Sequence, residues 1–116
     1  MRNTVSIQEN HVFRQLYRRG NTAADGLLAL YCRKNRRAGN RLGLTVSSKL
    51  GHAVLRNRLR RRLREAYRLN EARFAVGYDI VVVARTRARE ADYHALERSL
   101  LRVADKLGLL RPEAPQ

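Results

Sequence analysis

Cysteine is almost absent from this chain, because Cys32 is the only one among its 116 residues. A single cysteine cannot form an internal disulfide, and it excludes any zinc site that needs two or more thiolates. We therefore expect Cys32 to be a small, buried, apolar side chain in a strand. A chain of this length is expected to form one domain around one modest core.

Long hydrophobic runs are missing as well. The apolar stretches, such as residues 80–84, have only the length of a strand, whereas a membrane-spanning helix needs roughly 20 mostly apolar residues. The first ten residues, MRNTVSIQEN, lack the apolar centre of a secretory signal. The sequence therefore predicts a cytoplasmic protein that does not bind a membrane.

Groups that could form an active site are few and scattered. His11, His52 and His94 lie in three different segments, without the i, i+4 spacing of metal ligands on a helix. The ten acidic residues include no D-x-D pair that could hold the two metal ions of a protein nuclease. A phosphate-binding loop and a nucleophile elbow are also missing. We therefore predict no catalytic residue, no metal ligand and no small-molecule cofactor for the chain itself.

Positive charge is abundant instead. The formal net charge is +15, and 22 arginines outnumber three lysines. Such an excess points to a polyanionic partner, and the missing membrane features favour nucleic acid.

Seven of the arginines, and only one acid, fall within residues 53–69, AVLRNRLRRRLREAYRL. At 3.6 residues per turn this segment predicts an amphipathic helix. Its apolar stripe comprises Leu55, Leu59, Leu63, Ala66 and Tyr67. The opposite side comprises Asn57, Arg61, Arg64 and Arg68. Guanidinium groups suit bidentate phosphate and base recognition, so this helix is the first candidate for a nucleic-acid contact.

The remaining elements predict an α+β fold. Residues 6–9 have the form of a capping box that would start a helix, with Gly20 as its left-handed stop. Residues 27–33 and 41–47 alternate as two strands of an antiparallel hairpin, and residues 80–84 form a strand covered on both faces. Asp92 caps a last helix that ends at Gly108. The order α, β, β, α, β, α indicates an α-β sandwich.

Aromatic residues could gather beside the arginine helix. Phe13 and Tyr17 share a face of the first helix, and alternation places Tyr31 on the side of its strand away from the core. Stacking faces next to cations suit single-stranded nucleic acid. The alternative, that Phe13 and Tyr17 are ordinary core residues, stays open at this point.

The segment 41–68, RLGLTVSSKLGHAVLRNRLRRRLREAYR, resembles the signature of the bacterial ribonuclease P protein subunit, in which an Arg-Asn-Arg helix follows a strand ending in V-S-x-K-x-G. The likeness continues through Phe13, Tyr17 and Gly20, then Leu30-Tyr31, then residues 78–85. It covers nearly the whole chain. There are two departures: Ser48-Lys49 stands where the family often has two lysines, and His52 stands where asparagine is common.

The resemblance implies a fold like that of the second domain of ribosomal protein S five, with a left-handed β-α-β crossover around the arginine helix. It implies a family domain over residues 1–111, and we expect residues 112–116 to be a disordered tail. The implied activity is release of the 5′ leader from precursor tRNA by a ribonucleoprotein endonuclease. The resemblance implies that the RNA subunit and its Mg²⁺ carry the hydrolysis and that the protein alone is inactive.

The resemblance also implies two sets of site residues. The residues that match contacts to the catalytic RNA are Arg56, Asn57, Arg58, Arg61, Arg64 and Arg68. The residues that match the cleft for the single-stranded leader are Phe13, Tyr17, Tyr31, Lys49, Asn57 and Arg60.

Two other classes of function remain as alternatives. One is a non-catalytic ribosomal or chaperone-like RNA-binding protein that uses the helix as a general phosphate anchor. The other is a DNA-binding regulator, which would need a short helix-turn-helix pair that the sequence does not show.

Overall fold

A five-stranded mixed sheet carries helices on both of its faces in the computed structural model, which describes residues 1–112. The strands are β1 (Thr4–Ser6), β2 (Asn21–Ala24), β3 (Leu28–Lys34), β4 (Asn40–Thr45) and β5 (Tyr78–Ala84). The helices are α1 (Asn10–Arg19), α2 (Ala53–Asn70) and α3 (Tyr93–Lys106). The predicted α+β class is confirmed. Residues 113–116 of the predicted tail lie outside the described residues.

Strand β5 lies at the centre of the sheet, whose order is β1-β4-β5-β3-β2. Ile80, Val81 and Val82 are buried, as expected for a strand that is apolar on both faces. The predicted hairpin between residues 27–33 and 41–47 is wrong, because β5 lies between β3 and β4 and pairs with both. Residues 35–39 can span the roughly 10 Å between strands that are two positions apart.

The segment β4–α2–β5 is a parallel β-α-β unit, because β4 and β5 are parallel neighbours joined through α2. It places the arginine helix over the sheet between its two flanking strands. The left-handed sense of this crossover remains an expectation that rests on the resemblance. Within residues 1–112 no helix combines the length and the apolar character needed to cross a bilayer.

The sheet contains two edge strands that the sequence analysis missed, β1 and β2. Ser6, predicted as the start of a capping box, instead pairs with Leu42 in β1. Helix α1 begins at Asn10 and has no side-chain cap. Oε2 of Glu9, the predicted partner in the capping box, lies 3.2 Å from Nδ1 of His11. A capping box satisfies two backbone donors, whereas pairing with β4 satisfies a run of donors and acceptors, so the strand is formed.

Glycines end two helices in different ways. Gly20 does not adopt the predicted left-handed conformation, because its φ is −73°. This position has no room for a side chain, since a Cβ would lie 2.6 Å from the carbonyl oxygen of Leu16. Gly108 has a φ of +69° and follows α3 as predicted. The predicted cap at Asp92 is also confirmed, since its carboxylate accepts from the amide of Ala95 at 2.8 Å.

Each face of the sheet has its own apolar cluster. Helices α2 and α3 pack on the face that carries Leu30, Cys32 and Val82. Cys32 is only 2% exposed, and burial raises the pKa of its thiol. Helix α1 covers the other face through a smaller cluster that comprises Ile7, Val12, Leu16 and Val81.

A carboxylate joins the β2–β3 turn to α3. Asp25 accepts hydrogen bonds from the amides of Leu27 and Leu28, each at 2.9 Å. It also accepts from the Ser99 hydroxyl at 2.7 Å and from Arg102 at 2.8 Å. Burial alone would raise the pKa of Asp25, but these donors outweigh it and lower the pKa. The charged form is therefore favoured in the folded state.

We expect Asp25→Asn to lower the free energy of unfolding at pH 7 by about 1–3 kcal/mol, because buried donors lose a charged acceptor. The lowered pKa means that this stabilisation is complete above the ordinary pKa of aspartate. It disappears as the pH falls through the native-state pKa. Urea unfolding at pH 7 and at acidic pH measures the difference. Asp105→Asn, at an exposed position of α3, is the control, and an equal effect of both variants would contradict this account.

Candidate nucleic-acid interface

Helix α2 buries one stripe of its surface and exposes the rest. Leu59, Leu63, Ala66 and Tyr67 are at most 1% exposed, and Leu55 is half-buried. The apolar stripe predicted from the sequence is therefore confirmed, and it fixes which side of the helix faces solvent.

The exposed side of α2 presents most of the predicted RNA-subunit contacts. The exposed residues of that set are Asn57, Arg58, Arg61, Arg64 and Arg68. Arg56 differs, because it is half-buried and its Nε is enclosed without a hydrogen-bond partner among residues 1–112. Arg62 donates to the carbonyl oxygen of Ala91 at 3.1 Å. Arg62 therefore helps to hold the segment before α3.

Among the described residues, the ion pair on this surface lies at the C-terminal end of α2. Arg68 donates to the Glu65 carboxylate at 2.9 Å, and this hydrogen bond lowers the pKa of Glu65. Among residues 1–112, Arg58, Arg61 and Arg64 form no ion pair. We name these three residues the arginine face. Its charge repels itself, so a polyanion would stabilise it.

The three predicted aromatic residues lie together on the α1 side of the sheet. The rings of Tyr17 and Tyr31 meet edge to face with centroids 5.1 Å apart, and the Tyr17 hydroxyl lies 2.7 Å from Thr45 Oγ1. The Phe13 ring lies against Gly43, which belongs to β4, as Thr45 does. Tyr17 is 41% exposed, while Phe13 and Tyr31 are half-buried. None of the three is enclosed in the core, so their rings can reach a ligand.

A cavity of about 200 Å³ joins Phe13 to α2. Phe13, Arg60 and Arg64 line it together with residues of β1 and β4. Arg60 also donates to Asn57 Oδ1 at 3.1 Å and to the carbonyl oxygen of Val46 at 3.5 Å. Arg64, predicted only as an RNA-subunit contact, therefore also borders the cleft. We name Phe13, Tyr17, Tyr31 and Arg60 the aromatic cleft.

Lys49 is a further residue that was predicted to line the cleft. It is exposed in the 3-10 turn Ser48–Leu50, between β4 and α2. Its backbone amide donates to Ser47 Oγ at 3.2 Å, but within residues 1–112 its side chain makes no hydrogen bond and no ion pair. Its ammonium group is therefore not fixed against the aromatic residues.

Strand β1 forms a wall of the cavity that the sequence analysis missed. It is held by Glu71, whose carboxylate accepts from the amides of Arg2 and Asn3 at 2.8 and 3.1 Å and from the Thr4 hydroxyl at 2.6 Å. Burial would raise the pKa of Glu71, but these donors lower it. A strand of three residues is too short to show periodicity, and the Glu71 contact joins distant parts of the chain.

Within residues 1–112, acidic and metal-binding side chains do not form a metal-binding cluster. In the part of the chain that the structure describes, no three His, Cys, Asp or Glu side chains are placed to hold a metal ion. The Mg²⁺ implied by the resemblance therefore does not fit a ligand set within residues 1–112.

Comparisons with known proteins agree on one family. A sequence model of the family described as Ribonuclease P matches residues 1–108. The chain is 40% identical over 111 residues to the Ribonuclease P protein component of Natranaerobius thermophilus, a match that covers 96% of each chain. It is 43% identical over 104 residues to the protein of that name from Clostridium botulinum (strain Langeland), covering 89% of this chain and 94% of that one.

Solved structures show the same similarity. The RNase P protein of Staphylococcus aureus superposes with a TM-score of 0.85 at 31% identity, covering 91% of this chain and 97% of that one. The RNase P protein of Thermotoga maritima superposes with a TM-score of 0.78 at 29% identity, covering 84% and 92%. The similarity therefore extends over the sheet and the helices together.

We expect Gly43→Ala to disturb the aromatic cleft, because a Cβ there would lie 2.6 Å from Cε1 of Phe13. The ring has to move, at a cost of about 1–3 kcal/mol of folding stability. Urea unfolding measures the cost. The control is Gly26→Ala, where a Cβ would meet only the flexible end of Arg87 at 3.0 Å. A Gly43→Ala variant as stable as Gly26→Ala would refute this close packing.

Proposed function

Because this chain belongs to the ribonuclease P protein family, we propose that its arginine face binds the catalytic RNA and that its aromatic cleft binds the 5′ leader of precursor tRNA. The chain is an accessory subunit of an endoribonuclease that matures the 5′ ends of tRNA. The proposed place of action is the cytoplasm, where the partners are the catalytic RNA and precursor tRNA.

The charge distribution supports the contact with the catalytic RNA. Arg58, Arg61 and Arg64 project from a helix whose other side is buried, and no carboxylate neutralises them among residues 1–112. A structured RNA supplies phosphates at high density, and each neutralised phosphate releases counterions. Binding therefore relieves the repulsion within the arginine face.

The aromatic cleft suits unpaired nucleotides. Exposed and half-buried rings offer stacking surfaces that accept any base, while the Arg60 guanidinium can bind the phosphates of the same RNA strand. Mature tRNA has no leader to place there. The cleft would therefore favour the precursor over the product, which helps the product to leave.

The observation that carries the proposal is the shared cavity. Arg64 belongs to the arginine face, yet it lines the same cavity as Phe13 and Arg60. A leader held against Phe13 is thereby adjacent to the RNA held by α2. The protein would position the leader relative to the catalytic RNA without taking part in bond cleavage.

Magnesium belongs to the RNA subunit in this proposal, since residues 1–112 offer no cluster of ligands for it. Bound Mg²⁺ supplies charge stabilisation for the hydrolysis. The contribution of this chain is to reduce phosphate repulsion, so that fewer cations are needed from solution.

Reconstitution tests this function directly. We expect the protein to lower the Mg²⁺ concentration at which a bacterial ribonuclease P RNA cleaves precursor tRNA, because guanidinium groups replace part of the cation atmosphere. The measurement is the single-turnover cleavage rate across a Mg²⁺ titration, with and without protein. If the unmodified protein leaves the Mg²⁺ dependence of cleavage unchanged, the result would favour the alternative, a general RNA-binding protein.

Variants should separate the two surfaces. We expect Tyr17→Leu to weaken precursor binding by about 1–3 kcal/mol, the value of one base stacked on an aromatic ring, and to leave mature tRNA binding unchanged. Tyr17→Phe keeps the ring and is the matched control.

The converse variant is Arg58→Ala combined with Arg61→Ala, which should weaken binding of the catalytic RNA and spare the preference for precursor. Filter binding of each RNA to each variant provides both measurements.

Equal losses for precursor and mature tRNA in Tyr17→Leu would contradict the leader cleft.

A further inference from the structure

Helix α1 carries a second cationic surface, away from α2. Its exposed side presents His11, Arg14, Gln15, Arg18 and Arg19, which line a shallow depression of about 250 Å³. The opposite side of α1 packs on the sheet through Val12 and Leu16. The exposed side is therefore available to a partner, and it lies across the sheet from the arginine face.

Arg14 and Arg18 follow the aromatic residues around the helix. At about 100° per residue, Phe13 and Tyr17 face β4, and Arg14 and Arg18 come next in the direction of solvent. The two arginines are four residues apart, about 6 Å along the axis, which is close to the separation of successive phosphates in an extended strand. A strand that leaves the aromatic cleft past Tyr17 would meet them.

Counter-charge is scarce on this side of α1. Glu9 is the acid at its start, and that carboxylate lies 3.2 Å from His11. Among residues 1–112, Arg14 and Arg18 take part in no ion pair and no side-chain hydrogen bond. Arg18 gains from the negative end of the helix dipole, but Arg14 lies in the middle of the helix, where neither the dipole nor an ion pair within residues 1–112 stabilises its charge.

We propose that Arg14 and Arg18 bind phosphates of leader nucleotides that extend beyond the aromatic cleft, so that the protein holds a long leader at two successive places. This inference rests on the proposed function, because it requires the leader to enter the cleft first. Its ligand is single-stranded RNA continuous with that leader. Precursors with short leaders would end before reaching α1.

The test compares three ligands in the complex with the catalytic RNA: mature tRNA, precursor with a leader of a few nucleotides, and precursor with a leader several times longer. The variant is Arg14→Gln combined with Arg18→Gln, which keeps helix propensity. We expect several-fold weaker binding of the long-leader precursor alone. Two lost phosphate contacts on a single strand should also reduce the slope of log affinity against log salt by about 1.4.

Two controls accompany this variant. Arg14→Lys combined with Arg18→Lys retains the charge and should restore binding of the long leader. Arg98→Gln combined with Arg111→Gln removes the same charge from exposed positions on α3 and after it, and should leave all three ligands unaffected.

The outcomes are distinguishable. Unchanged binding of the long leader, or equal losses for short and long leaders, overturns the role of α1 while the cleft stands. A loss of affinity for the catalytic RNA itself would assign Arg14 and Arg18 to that RNA and also overturn the inference. If the unmodified protein does not distinguish precursor from mature tRNA, the proposed function itself fails.

Discussion

Burial of strand β5 on both faces is the constraint on which the rest of this molecule depends. A run of β-branched residues is stable only where both faces of the sheet are covered, so α1 must lie on one side and α2 and α3 on the other. Tyr31 and Val81 belong to the α1 side, whereas Cys32 and Val82 belong to the other. The sheet thereby keeps the rings of the aromatic cleft and the arginine face on different layers, and the cavity beside β4, which Phe13, Arg60 and Arg64 line, connects the two.

That meeting at the edge depends on a short strand. Strand β1 pairs with only the first part of β4, through residues 4–6 and 40–42. Gly43 and Thr45 lie beyond it, and they are the β4 residues that contact Phe13 and Tyr17. A longer β1 would cover the cavity that Arg60 and Arg64 enter. The cationic surface of α2 and the stacking rings on α1 are thus connected because β1 stops short and leaves the rest of β4 uncovered.

Local patterns predicted the elements that periodicity can reveal. The stripe of α2, the capping aspartate at Asp92 and the central place of β5 are correct, because each is a property of a contiguous segment. The hairpin between residues 27–33 and 41–47 is wrong because strand order depends on which strand best fills the centre, a competition among distant segments. Strands β1 and β2 were missed because they are short edge strands with little apolar alternation.

The candidate site was predictable to the same extent. Phe13, Tyr17 and Tyr31 do lie together on one side of the sheet, as alternation within β3 and the face of α1 indicated. The place of Arg64 beside the cavity was not predictable, because it depends on how α2 crosses the sheet. The anchoring of the chain start by Glu71 depends on a contact across 68 and 69 residues, which no local pattern records.

The burial of Cys32 has a practical consequence for mapping the RNA on this surface. A thiol that is 2% exposed, with a raised pKa, reacts slowly with alkylating reagents. A cysteine introduced on either surface, at the position of Tyr17 or of Arg61, would then be the one reactive thiol of the chain. Photo-crosslinkers or spin labels attached there would report the path of each RNA without first removing the native sulfur.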